Sequence, residues 1–262
     1  MEVHHPHSHK GPKKIKEYFF EGLMIFIAVT LGYAAENLRE HAVETKKAVK
    51  SVRNLYKDVL ADSVRFQSSV DARNRQDSCF RLVDDLYQEN LLQDSIALLY
   101  QAHKYMSYRQ LPIINTLALE QIKNTGIINF IEDDSLKTMI QIYDQDGRNL
   151  LLRENREFGY IDRMVDPITS KYFRFKYYSI INERTQVVEN GKLVLKIKLP
   201  SNIDLHRPEE LDWQTYISTM GFLSTIRLSS DFNYIKPAND NCLKLLRLIR
   251  NYLSENGGIE TL

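Results

Sequence analysis

Four imidazoles crowd the start of the chain, His4, His5, His7 and His9 in "MEVHHPHSHK". Clustered imidazoles can hold Zn²⁺, Cu²⁺ or Ni²⁺, but no Cys or carboxylate spacing in this tail closes a metal site around them. Residues 1–17 therefore read as a disordered His- and Lys-rich tail, with those histidines as weak metal candidates only. A different chemistry is raised by Glu21, which stands inside the apolar run "YFFEGLMIFIAVTLGYAAENL". A carboxylate there can carry a proton, pair with a buried cation, or rest at headgroup level beside Lys16.

The remaining reactive groups do not converge in sequence. His41, His103 and His206 lie far apart, and none stands beside a Ser or Cys in a nucleophile setting. Asp84-Asp85 and Glu132-Asp133 fit helix surfaces and caps. The chain has no phosphate-cradling Gly loop, no G-x-S-x-G elbow and no H-E-x-x-H pair, so it offers no catalytic residue and calls for no cofactor. Cys79 and Cys242 make no CxxC motif, and they read either as two buried thiols or as one disulfide. With 35 basic and 34 acidic residues, no overall charge excess draws the chain to nucleic acid.

Positioning these groups falls to long helices, since the chain has only 10 Gly and 7 Pro. The run Tyr18 to Ala35, with Glu21 as its one charge, spans roughly 27 Å as a helix, about the thickness of a bilayer's hydrocarbon core. The spacing predicts a transmembrane helix over 18–37. Gly32-Tyr33-Ala34 also permits cleavage as a signal peptide. Steps of three and four from Glu21 reach Met24, Ala28, Leu31, Ala35 and Leu38, then continue through Val52, Val59, Phe66 and Val70. That 3.5-residue repeat predicts one packing seam running from the membrane into a stalk. Inside the span its small members, Ala28 and Ala35 with Gly32 beside them, would let another helix approach Glu21. A second copy or a membrane-protein partner would serve there, while a following helix of the same chain packed antiparallel would serve the soluble half of the seam.

Residues 38–262 read as one mainly helical domain. A second helix is expected over 76–108, a helix start at Pro112, and a helix end at Gly126. Asp133-Asp134-Ser135 offers an N-cap for another helix that would stop at Asp166-Pro167. "KYFRFKYY", 171–178, fits a half-buried helix face or an aromatic belt near the membrane better than a base-stacking surface. Asn190-Gly191 signals a small β-hairpin near 185–199, and two more helices follow, about 208–228 and 238–255, with Trp213 in the core. The fold class is all-α: an N-terminal transmembrane and stalk helix feeding an antiparallel helical bundle with one hairpin.

Two stretches carry a resemblance. "HKGPKKIKEYFFEGLMIFIAVTLGYAAENLREH" resembles the N-terminus of a group of Bacteroidota-type single-pass membrane proteins, with a basic lead, a Glu at the apolar entrance and a polar exit at Glu36-Asn37. "LPIINTLALEQIKNTGIINFIEDDSLKTMIQIYD" is similar to their middle region. The resemblance implies a membrane protein and brings no catalytic residues with it. The lysines before the span favour a cytoplasmic N-terminus and a periplasmic C-terminal domain at a bacterial inner membrane. The expected role is a non-catalytic anchored scaffold or sensor. The alternatives are a subunit of an ion-coupled machine using Glu21 and a membrane-tethered enzyme.

Overall fold

The computed structural model describes residues 15–180, 184–189, 192–197 and 202–256. Its spine is α1 (Ile15–Gln88), a single 74-residue helix. The apolar stretch near its start is long enough to cross a membrane and is fully exposed. From Ala48 onward the same helix enters the core. Most of its buried positions, Ala48, Val52, Leu55, Val59, Asp62, Phe66, Ser69, Arg73, Gln76 and Val83, keep a 3.5-residue step, with Ser51, Tyr56 and Ala72 buried beside them. Val52, Val59 and Phe66 belong to the seam read from the sequence. Val70, expected on the same seam, flanks it, half-buried.

The second helix does not begin at 76. α1 runs on to Gln88 and reverses through Asn90, which takes a left-handed φ of 59°. Leu91 N–H reaches back to Leu86 C=O at 2.8 Å, closing a helix end that usually uses Gly. Then α2 (Ile96–Ser107) returns along α1. Pro112 starts no helix. It lies in an extended segment that leads to α3 (Leu117–Asn124). Asp58 and Asp62 of α1 hold that segment: Asp62 accepts from Asn115 N–H at 2.7 Å, and Asp58 from Ala118 N–H at 3.1 Å. A neighbouring helix thus satisfies orphan donors at the start of α3. Gly126, at φ 69°, turns the chain after α3 into a short 3-10 segment, Ile127–Phe130.

Asp133 caps α4 (Asp134–Tyr160) through Leu136 N–H at 3.0 Å. The helix does not stop at Asp166-Pro167. A π-turn, Ile161–Val165, joins it to α5 (Asp166–Tyr172). The same device recurs later, where the π-turn Asp231–Ile235 joins α7 (Trp213–Ser230) to α8 (Lys236–Glu255), just before Pro237. Proline lacks an N–H and crowds the carbonyl four residues back, and a widened turn relieves both faults without ending the rod. Between the rods lie α6 (Phe175–Ile180) and the strands β1 (Arg184–Glu189) and β2 (Lys192–Ile197). The strands pair antiparallel with Val187 opposite Val194, and Asn190 and Gly191 lie outside the described residues.

Contacts fix the directions of the rods. Asp62 meets Tyr143 and Arg73 meets Glu157, so α4 runs the same way as α1 rather than against it. Cys242 donates to Val59 C=O and Arg250 to Tyr56, so α8 runs back. Two apolar clusters result. One gathers α1 up to Phe66, α3, the first part of α4 and α8. The other gathers Val83, α2, the chain from Ile161 to Tyr177, and α7. "KYFRFKYY" belongs to the second, with Tyr172, Phe173 and Tyr177 buried around Tyr100. Its neighbours on α1 lie beyond residue 80, roughly 70 Å along the helix from the apolar stretch, so it forms no belt there. Trp213 packs at the edge of this cluster, half-buried. The thiols are unpaired, Cys242 buried and Cys79 half-buried.

Gly147, in the middle of α4, lets Ile114 lie across the helix: a Cβ there would collide with Ile114 Cδ1 and meet its Cγ1 at 2.8 Å. Glycine at a helix centre costs about 1 kcal/mol relative to Ala, so this close passage sets the residue. Gly147→Val is expected to lower stability by about 1–3 kcal/mol in urea unfolding, as overpacking does. An unchanged midpoint would mean that Ile114 swings aside freely.

Candidate functional site

Between the two apolar clusters α1 has no large apolar side chain facing inward: Ser69, Ala72, Arg73 and Gln76 fill the interval. The two other rods place charge at the same level. Each carries an ionisable residue four positions before its π-turn, Glu157 before Ile161 and Arg227 before Asp231. Glu157 is fully buried. It accepts from Arg73 Nη2 at 2.7 Å through one oxygen and from Arg227 Nε at 2.9 Å through the other. Arg227 also donates to Met106 C=O and, at 3.0 Å, to Tyr108 C=O, which Gln76 Nε2 reaches at 2.9 Å. One buried carboxylate therefore joins three rods, and Arg227 with Gln76 ties in the end of α2.

Asp231 opens the second π-turn, 3.6 Å from Arg73 Nε. That is longer than a direct hydrogen bond, and Asp231 Oδ1, Arg73 Nε and Arg73 Nη1 have no hydrogen-bond partner among the described residues. Beside them is a cavity of about 10 Å³, the size of one water, lined by Gln76, Met106, Arg227 and Asp231 among others. Burial is the main force pushing the Asp231 carboxyl up to about 6; the Glu157 charge adds to it, while Arg73 opposes. Burial likewise lowers the Arg227 guanidinium from its usual value, against the pull of Glu157. The quartet balances two cations against Glu157 and a carboxyl that titrates near neutrality.

A second buried polar group lies in the cluster beyond. His103 of α2 is stacked on Phe173 at 3.9 Å between centroids and is fully enclosed. Its Nε2 is 2.8 Å from Thr169 Oγ1, whose own proton goes to Val165 C=O at 3.0 Å. Thr169 can then only accept, which puts the imidazole proton on Nε2 and leaves Nδ1 to accept from Tyr216 O–H at 3.1 Å. Burial holds this histidine down to about 3. With both ring nitrogens committed, the imidazole is a structural joint between α2, α5 and α7.

On the surface, a cleft of about 300 Å³ lies between the 112–116 segment and α4. Ile113, Ile114, Leu150 and Leu151 line it, and Lys123, bridging Glu120 and Asp144, closes one rim. Ile113 and Leu151 are well exposed there.

Glu21, Ala28, Gly32 and Ala35 all lie on the exposed surface of α1, and no side chain comes within 4 Å of a Cβ placed at Gly32. His4, His5, His7 and His9 lie outside the described residues, His41 is exposed on α1, and His206 N–H donates to Tyr172 C=O at 2.8 Å, one residue before the Phe173 on which His103 stacks. Among the described residues no group of three or more His, Cys, Asp or Glu is placed to hold a metal ion. Arg73, Glu157 and Arg227 were not legible as a set, because each reads as a solvated helix charge. The available signal was Arg73 falling on the seam phase of Val52, Val59 and Phe66. Comparison with known proteins finds no match: no family model, no curated protein and no solved structure.

Proposed function

We propose that this chain is a non-catalytic, membrane-anchored scaffold, a single-pass protein whose helical domain holds or senses a partner. The observation that carries this reading is the continuity of α1: one unbroken helix contains both the exposed apolar stretch and the central strut of the core. A domain joined to its anchor by a flexible linker would move independently of it. Here anchor and core are one rigid element, suited to holding a domain at a fixed pose or to passing a displacement. The exposed apolar cleft beside α4 offers a seat for a partner. The lysines ahead of the span favour a cytoplasmic N-terminus, which puts the domain of this reading in the periplasm.

Fractionation and capture test both halves of the reading. The full chain is expected to stay with membranes through alkaline carbonate washing, and a chain beginning at Glu40 to be released. In mild detergent the full chain should bring down a partner in stoichiometric amount, and Ile113→Glu with Leu151→Glu should lose it. Release of the full chain would overturn the anchor, and recovery of the chain alone would overturn the scaffold.

A further inference from the structure

We propose that the short turn after α3, centred on Phe130, is a membrane-contact site: it rests in the lipid headgroup layer of the bilayer that α1 crosses. The proposal rests on reading α1 as a membrane span. Its own observation is a ring contact. His41 and Phe130 meet edge-to-face with centroids 6.0 Å apart. His41 follows the last residue of the apolar run, Ala35, by six positions of one continuous helix, roughly 9 Å along the axis. Headgroup layers extend about 5–7 Å beyond the hydrocarbon on each side, and side chains on a helix tilt toward its N-terminus, here back toward the bilayer. Phe130 therefore lies at the height where lipid headgroups end.

The rest of this end of the domain agrees. α3 is held at its start by Asp58 and runs down α1 toward His41, so its exposed last residues, Asn124 and Thr125, face the same way. Asn129 and Glu132 are exposed on the turn itself. α8 descends in parallel, with Arg250 on Tyr56 and Tyr252 and Leu253 in the core near Ala48. Charges at this level are mixed in sign: Arg39 pairs with Glu36, Lys47 with Glu44, and Lys137 with Asp134. A mixed rim beside amide side chains fits zwitterionic headgroups and gives no preference for anionic lipid. The partner of this surface is thus a phosphatidylcholine-like interface, and no free stalk separates the domain from it.

The chain's one tryptophan makes the test internal. Trp213 lies in the far cluster, beside the level of Tyr87 on α1. In the full-length protein reconstituted into phosphatidylcholine vesicles brominated close to the glycerol, Trp213 should keep its emission. The variant Phe130→Trp with Trp213→Phe should lose about half of its emission, with or without anionic lipid. Asn129→Trp in the same background, at an exposed position that leaves the core alone, should behave likewise. Protein that floats with the vesicles while both new tryptophans stay bright would overturn the seat alone. Protein that fails to float would overturn the span, and the seat with it.

Discussion

Replacing Glu157 with Leu is expected to lower the stability of the folded protein by about 3–5 kcal/mol, the largest effect of any single substitution considered. The loss comes from what is left behind. Arg73 and Arg227 are both almost fully buried, and each points a donor at a Glu157 oxygen. Removing the carboxylate leaves two like charges enclosed together, and Asp231, 3.6 Å from Arg73 and titrating near 6, can balance at most one. The triple variant Arg73→Met, Glu157→Leu and Arg227→Met should regain most of the loss, since an apolar filling of similar volume replaces a buried ion set at little cost. Urea unfolding of full-length protein in mild detergent, followed by helical circular dichroism, reads both. A single-variant loss below about 1 kcal/mol would show that the site is hydrated and its charges screened.

The second large effect is acid loss of stability at His103. An unfolded histidine takes its proton near 6.5, and in the folded chain burial holds His103 down to about 3. The folded pKa is depressed, so the unfolded chain binds the extra proton as the solution is acidified. The contribution is fully present above 6.5 and is lost as pH falls toward 3, by about 1.4 kcal/mol per pH unit. Asp231 works in the opposite sense. Its pKa is raised above 3.8 to about 6, so its contribution is present below 3.8 and is lost as pH rises through 6. The two slopes oppose each other between pH 4 and 6, and the informative quantity is the difference between variants. His103→Gln can still donate to Thr169 and accept from Tyr216. Its stability relative to wild type should rise by roughly 3 kcal/mol from pH 6 to pH 4. A constant difference across that range would mean that His103 takes up its proton without opening the cluster.

Much of the helical content was legible because it follows from simple patterns. The seam through Val52, Val59 and Phe66, the Asp133 cap and the Gly126 turn each rest on a local rule that the packed chain obeys. The misreadings have a shared cause, a polar or helix-breaking residue put to an uncommon use. Asn90 reverses the chain where no Gly or Pro marks a break, so the end of α1 was missed. Pro167 and Pro237 each sit behind a π-turn that absorbs them, so rods that should have ended continue. The charged layer was hidden for a related reason. Arg73 and Gln76 interrupt the apolar pattern of α1, and their partners lie 84 positions away at Glu157 and 32 at Tyr108. No local window holds both halves of such a pair.

The unbroken course of α1 also fixes a rotational phase. An α-helix advances about 100° and 1.5 Å per residue, so each position between Asn37 and His41 counts as a cog. One inserted residue would swing the whole domain by about 100° around the axis of the apolar stretch, changing the bearing of the α4 cleft relative to Glu21. Seven would restore the bearing to within about 20° and lift the domain by about 10 Å. The length of this short segment is therefore a gear setting, with direction and height adjustable only together.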